Sequence, residues 1–83
     1  MTDRITFAQL DALLADLGFK KAVVPGSHVN YVHLDSGAYV FLRLHKAKEF
    51  VPSYVVATAR HDLEVQAVIS GSQFDEMLKA VAA

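Results

Sequence analysis

A histidine that directly follows a tight turn is the most chemically suggestive feature of the sequence. Residues 23–33 read VVPGSHVNYVH, so the turn signal Pro25-Gly26 is followed at once by Ser27 and His28. Histidine is the side chain most often used to move protons near neutral pH. Because a turn holds a side chain in place, this position suits general acid–base chemistry. The alternative is an ordinary turn histidine with no chemical role.

Positive charge is concentrated around this histidine. The 83 residues have a net charge of −1, but residues 19–48 contain five basic side chains and a single carboxylate. The basic side chains are Lys20, Lys21, Arg43, Lys46 and Lys48. Such a cationic segment suits an anionic ligand such as a phosphate, and a solvated basic rim is the alternative. Glycine at position 26 lets the backbone N–H groups approach that ligand, and the Ser27 hydroxyl can bind a phosphate oxygen.

Other kinds of site have little support in the sequence. The chain has no cysteine, which excludes disulfides and thiolate metal sites. No spacing of His, Asp and Glu resembles a metal site, and there is no Gly-rich nucleotide loop or serine-hydrolase elbow. We therefore expect no metal and no cofactor. We interpret His33 as a structural strand-end residue, His45 as a loop residue and His61 as a solvated helix residue.

The composition predicts one small domain spanning residues 1–83. Its hydrophobic fraction of 53% is sufficient for a core. No apolar run approaches the roughly 18 residues needed to cross a bilayer, and the N-terminus lacks a signal-peptide pattern. We expect a soluble cytoplasmic protein with no membrane partner.

The first element should be a helix from about Phe7 to Leu17. Thr6 with Gln9 three residues later forms a capping-box pattern, and Gly18 sits where a left-handed cap belongs. Apolar residues recur at helical spacing at Phe7, Leu10, Leu13, Leu14 and Leu17. This stripe predicts a buried helix face.

Three strands should follow the first helix. The runs FKKAVV, HVNYVHL and AYVFLRL are rich in β-formers. They are separated by Pro25-Gly26 and by Asp35-Ser36-Gly37, a hairpin signal of two or three loop residues. This order predicts an antiparallel meander.

Residues 50–69 fit either a helix or a second hairpin. The valines favour strand, whereas Pro52 fits the first turn of a helix. An i, i+4 stripe also favours helix, and it consists of Val55, Ala59, Leu63 and Ala67. A final helix is predicted to start at Ser72 with Asp75.

The strand that begins at His28 and the strand that follows it decide which groups can lie beside this histidine. His28 and Asn30 share one strand face, whereas His33 lies on the other. A two-residue turn at Asp35-Ser36 places Arg43 opposite His28, and a three-residue loop shifts Arg43 opposite Val29. The sequence leaves both registers open.

The order and motifs resemble the HicA toxin family (HicA mRNA interferases, YcfA-like). The likeness includes a leucine-striped helix ending in LGF, a basic strand, GSH opening the second strand, and VHLDSGAYVFL. It continues at Pro52, and ISGSQFDEML resembles the C-terminal helix of longer members. The likeness covers nearly the whole chain, which resembles a divergent longer member.

The resemblance implies both a fold and an activity. It implies an α+β fold like that of double-stranded-RNA-binding domains, α-β-β-β-α with an extra C-terminal helix and the helices on one sheet face. Residues 53–66 would then be helical. HicA toxins belong to type II toxin-antitoxin systems and are metal-independent ribonucleases that cleave mRNA. Their partners are HicB antitoxins, and their catalytic histidine is that of GSH, here His28.

Two departures from the family leave another function open. Val29 stands where members often have a second histidine or another polar residue, and the net charge of −1 is low for an RNA-binding protein. The alternative is a catalytically inactive HicA-fold module that binds RNA or a protein. A protein that only forms homodimers through an apolar sheet surface is a further alternative, with Tyr39 and Phe41 as contacts.

Overall fold

Six elements are arranged in the order α1-β1-β2-β3-α2-α3 in a computed structural model that describes residues 4–26, 28–43 and 46–82. They are α1 (Phe7–Asp16), β1 (Phe19–Val24), β2 (His28–His33), β3 (Tyr39–Arg43), α2 (Ser53–Val65) and α3 (Gly71–Ala82). The strands form one antiparallel sheet in the order β1-β2-β3. The predicted α+β fold, α-β-β-β-α with an extra C-terminal helix, is therefore confirmed.

Local capping defines the first helix as predicted. The Gln9 N–H donates to Thr6 Oγ1 at 3.2 Å, and the Thr6 N–H donates to Gln9 Oε1 at 2.8 Å. Gly18 has a φ of 96°, which only glycine adopts without strain, and it ends the helix. The helix faces the core through Leu10, Leu13 and Leu14.

The ambiguous segment is helical, so the hairpin alternative is wrong. Helix α2 spans Ser53–Val65 and follows Pro52, whose missing N–H costs nothing at a helix start. The buried positions are Val56, Ala59 and Leu63. Ala67 does not continue the stripe as expected, because it lies beyond the helix with a φ of 58°.

The last helix begins earlier than expected. It starts at Gly71, and not at Ser72 with Asp75, because Ser70 and Gln73 cap it reciprocally. The Gln73 N–H donates to Ser70 Oγ at 3.2 Å, and the Ser70 N–H donates to Gln73 Oε1 at 3.0 Å. Asp75 instead accepts two hydrogen bonds from Arg60, at 3.0 and 3.3 Å, and so ties α3 to α2.

The core lies between the sheet and the helices. Helix α1 contacts β1, α2 contacts β3, and α3 packs against both α1 and α2. The fully buried side chains include Ile5, Leu10, Leu13, Leu14, Val40, Leu63 and Phe74. Each such side chain stabilises the fold by about 1.5–3 kcal/mol relative to exposure. Within the described ranges, no helix is both long and apolar enough to cross a membrane.

The register of β2 and β3 is the one that joins the candidate residues. Arg43 lies opposite His28, as expected for a two-residue turn. The loop itself is longer, because the His33 N–H donates to Ala38 O at 2.7 Å across residues 34–37. Gly37 has a φ of 76° in this loop. A four-residue loop leaves β2 and β3 in the same register as a two-residue turn, so the same side chains share a face.

Alternation along the strands gives the sheet one covered and one open face. The buried side chains of β2 and β3 face the helices: Val29, Tyr31, Val40 and Leu42. We call the opposite side the outer face. It carries Lys20, Ala22, Val24, His28, Asn30, Val32, Tyr39, Phe41 and Arg43.

Candidate functional site

His28 is the first residue of β2 and is held at the end of a tight turn. It pairs with Val24 across the β1–β2 hairpin, and its side chain is half-buried on the outer face. Gly26 has a φ of 91°, so a side chain there would be strained. A Cβ built on Gly26 would lie 3.9 Å from His28 Nδ1, which places the turn backbone beside the imidazole. Ser27 lies outside the described residues.

An aromatic ring orients the imidazole of His28. The rings of His28 and Phe41 stack with centroids 4.9 Å apart and an interplanar angle of 15°. Phe41 is itself 51% exposed, so the pair forms part of the surface. Within residues 4–26, 28–43 and 46–82, neither ring nitrogen of His28 has a hydrogen-bond partner. Both nitrogens are therefore available to a ligand.

Arg43 supplies positive charge next to this histidine. The two residues are directly opposite on neighbouring strands, where Cβ atoms are about 4.5–5.5 Å apart. Arg43 is exposed, and no carboxylate among the described residues pairs with its guanidinium. Its charge is available to an anion held beside His28. This pairing is the only one of the expected basic contacts that the strand register brings directly to the histidine.

The two lysines of β1 lie on opposite sheet faces. Lys20 shares the outer face with His28, but it pairs with Val32 at the far end of the strands. Four residues of strand separate it from the His28 level, which is about 13 Å. Lys21 lies on the helix side and pairs with Asp11 at 3.5 Å. The structure does not bring Lys21 to the outer face.

The last two basic candidates lie in the connection that follows β3. Lys46 and Lys48 are exposed, and the connection is fastened to the start of α1. The Phe7 N–H donates to Glu49 O at 2.9 Å, and the Ala8 N–H donates to Ala47 O at 3.1 Å. His45 and Leu44 lie outside the described residues. The connection therefore presents its two lysines on an anchored loop.

The site also contains a polar group that sequence reasoning did not assign. Asn30 follows His28 by two residues on the outer face, and its Oδ1 atom is buried with no hydrogen-bond donor among the described residues. A buried acceptor without a donor lowers the stability of the fold. Strand alternation had placed Asn30 on the face of His28, but burial of its oxygen depends on the neighbouring strands.

His33 has a structural role, as expected. Its Nε2 atom lies 2.9 Å from Leu17 O, and its Nδ1 atom lies 2.8 Å from Ser36 Oγ. Because a carbonyl can only accept, Nε2 carries the proton and Nδ1 accepts from Ser36 in the neutral ring. The imidazole therefore links the end of α1 to the β2–β3 loop. His61 is exposed on α2.

A polar cluster on the helix side is also structural. The Tyr31 hydroxyl donates to Asp11 Oδ1 at 2.9 Å, and Lys21 pairs with the same oxygen. Burial, followed by the hydrogen bond to Asp11 and its charge, raises the pKa of Tyr31 well above its usual range. The phenol therefore stays neutral and joins α1 to β2. In the described part of the chain, no three His, Asp or Glu side chains are grouped as metal ligands would be.

Comparisons with known proteins return no match. No protein-family model, curated protein or solved structure matches the chain. The function is therefore inferred from the residues of the outer face.

Proposed function

We propose that the protein is a HicA-like toxin, a metal-independent endoribonuclease that cleaves mRNA with His28 as its catalytic residue. The observation that carries the proposal is the pairing of His28 with Arg43 on the outer face. One residue can move a proton, and the other can hold a phosphate. The free ring nitrogens of His28 and the nearby turn backbone of Gly26 support the same interpretation.

In the proposed metal-independent reaction, the RNA itself supplies the nucleophile. His28 takes the proton of a 2′-hydroxyl, and the 2′-oxygen forms a bond to the adjacent phosphorus. The bond from phosphorus to the 5′-oxygen breaks, and the leaving oxygen takes a proton from the protonated His28 or from water. The products are a 2′,3′-cyclic phosphate and a 5′-hydroxyl. Arg43 stabilises the negative charge on the phosphate oxygens during this step.

The exposed rings of the outer face favour single-stranded RNA. Tyr39 is 58% exposed and Phe41 is 51% exposed, on the strand that carries Arg43. Bases of unpaired RNA stack on such rings, with about 1–3 kcal/mol per base. The outer face thus offers stacking surface beside the proton-transfer group and the cation. A HicB-like antitoxin that covers this face would block the reaction.

Expression in bacteria tests the proposal in cells. Wild-type protein should slow growth, whereas His28→Ala should not, because a proton-transfer group contributes about 10²–10⁴ in rate. His61→Ala is the matched control, since it removes an exposed histidine from α2 and should leave toxicity intact. Arg43→Ala should weaken toxicity, whereas Lys21→Ala should do so less because Lys21 lies on the helix side.

Equal toxicity of wild type and His28→Ala, at equal protein levels, would remove His28 from the mechanism.

The low net charge favours the second candidate, a module that has kept the fold and binds RNA or a protein without cleaving it. That module would be harmless on expression, and purified wild type would bind RNA or a partner without cutting.

A further inference from the structure

The edge strand β3 has two residues whose backbone groups are open along its free edge. The Gln66 side chain accepts from the Tyr39 N–H at 2.9 Å and donates to Tyr39 O at 2.8 Å, so the backbone of Tyr39 points outward. Because alternate residues of an antiparallel strand point the same way, the N–H and C=O groups of Phe41 and Arg43 also point outward. No described residue pairs with these groups. An extended segment lying beside β3 can pair with all of them.

A groove between β3 and α2 adjoins this edge on the helix side of the sheet. It has a volume of about 350 Å³, and its lining includes Phe7, Leu42 and Val55. Leu42 points toward the helices, so a side chain that points the same way from an added strand enters the groove. Among the described residues that line the groove, Arg43 alone is charged. The groove therefore suits an apolar side chain with a carboxylate next to it.

We propose that β3 binds a short extended segment of another protein, in which an acidic residue is followed by two apolar residues. The segment adds to β3 as an antiparallel strand, a common mode of peptide recognition. Its acidic residue lies opposite Arg43, its first apolar residue opposite Leu42 and its second opposite Phe41. The acidic residue and the second apolar residue each exchange two backbone hydrogen bonds with β3.

Strand alternation assigns each side chain of the segment to one face of the sheet. The acidic and second apolar side chains lie on the outer face, beside the Arg43 guanidinium and the Phe41 ring, which is 51% exposed. The first apolar side chain points into the groove. Since no carboxylate among the described residues pairs with Arg43, the acidic residue supplies the missing charge partner.

The Gln66 side chain limits the length and the direction of the segment. It closes the edge at Tyr39, so the open edge of β3 is short. An antiparallel strand reaches all the open groups of Phe41 and Arg43 with three residues, whereas a parallel strand needs a longer segment. The antiparallel direction therefore fits this edge better.

This chain has no free segment of the required sequence. Within the described ranges, an acidic residue precedes two apolar residues in α1, in α3 and at residues 49–51. The first two are helical, and the third is already paired, because the Val51 N–H donates to Ile5 O at 2.8 Å. A second folded copy does not fit, since α2 stands beside β3 where the sheet of that copy would lie. The occupant is therefore a single segment of a different protein.

The two edges of the sheet differ in how well they admit a strand. Lys20 and Lys21 lie on β1, and charged side chains of this kind protect an edge from pairing. The sequence of β3, Tyr39–Arg43, has no lysine and no proline. Only Tyr39 is shielded, by Gln66. The added strand is therefore expected at β3 and not at β1.

Titration with an end-capped peptide, Thr-Glu-Leu-Val-Thr, tests the proposal by NMR and does not depend on RNA cleavage. The amide signals of Phe41 and Arg43 should shift as the peptide is added to millimolar concentration. Thr-Lys-Leu-Val-Thr should bind at least about threefold more weakly, because its cation lies beside Arg43. If neither amide shifts at millimolar peptide, the proposal is wrong. If both shift with protein concentration alone, the edge belongs to a second copy and the proposal is equally wrong.

N-methylated peptides test the strand pairing itself. A methyl group on the glutamate nitrogen removes the N–H that donates to Arg43 O, and binding should weaken at least about tenfold. The same methyl group on the leucine nitrogen is the matched control, because that N–H points away from β3 and binding should change little. Equal weakening by both methyl groups would contradict the proposed register.

A charge reversal on the protein tests the role of Arg43 in recognition. Arg43→Glu should prefer the lysine peptide over the glutamate peptide, which reverses the preference of wild type. Lys20→Glu is the control, since Lys20 pairs with Val32 at the far end of the strands and should leave the preference unchanged. Circular dichroism checks that both variants are folded. An unchanged preference in folded Arg43→Glu would overturn the assignment of the acidic residue to Arg43.

Discussion

Removal of the Tyr31 hydroxyl should change how stability depends on pH. Tyr31 is buried and donates to Asp11, and its pKa is raised well above its usual value of about 10. The phenol therefore ionises in the unfolded chain before it ionises in the folded protein. Its contribution to stability is complete below pH 10 and is lost as the pH rises above that value.

The linkage between ionisation and folding gives the size of this effect on stability. Each pH unit above about 10 lowers the free energy of unfolding of wild type by about 1.4 kcal/mol, and Tyr31→Phe avoids this loss. At pH 7 the variant lacks a hydrogen bond to a carboxylate, worth about 1.5–3 kcal/mol. The Asp11 side chain is 40% exposed, which favours the lower end of that range. Wild type should therefore be more stable at pH 7, and the order should invert near about pH 11.

Urea unfolding at a series of pH values measures this difference directly. Contributions from titrating groups that contact neither Tyr31 nor Asp11 are common to both proteins and cancel when the two free energies are subtracted. Tyr54→Phe is the control for loss of a phenol as such, because Tyr54 is 74% exposed. If the free energies of Tyr31→Phe and wild type stayed parallel from neutral to strongly alkaline pH, the burial argument would be wrong.

Two further substitutions test contacts of the same sheet. His33→Ala should lower the free energy of unfolding by about 1–3 kcal/mol, because Leu17 O and the Ser36 hydroxyl lose their partner; unchanged stability in urea would argue against a structural histidine. Asn30→Val should raise the free energy of unfolding by about 1 kcal/mol, because a buried acceptor without a partner is removed. A clear loss of stability in this variant would show that Oδ1 is paired in solution.

The sequence predicted those elements whose signals are local. The Thr6–Gln9 cap and Gly18 lie within one turn of the helix ends that they define, so α1 was placed to within a residue. The start of α3 was missed because two Ser residues compete for the cap. Ser70 prevails since Gln73 can return the hydrogen bond, whereas Asp75 is engaged by Arg60.

The site was predictable in part. Alternation along β2 placed His28 and Asn30 on one face, but the position of Arg43 depended on the loop after His33. That loop has four residues, and the turn signal Asp35-Ser36-Gly37 did not specify its length. The stacking of Phe41 on His28, and the pairing of Gln66 with Tyr39 across 27 residues, depend on tertiary structure. No sequence pattern indicates them.

Cleavage of RNA by purified protein in the presence of EDTA tests the central claim most directly. Wild type, His28→Ala and His61→Ala are compared on one labelled single-stranded RNA, with folding of each verified by circular dichroism. Wild type and His61→Ala should yield fragments ending in 2′,3′-cyclic phosphate, and His28→Ala should be slower by about 10²-fold or more. Equal cleavage by wild type and His28→Ala, or no cleavage by well-folded wild type, would contradict a ribonuclease that depends on His28.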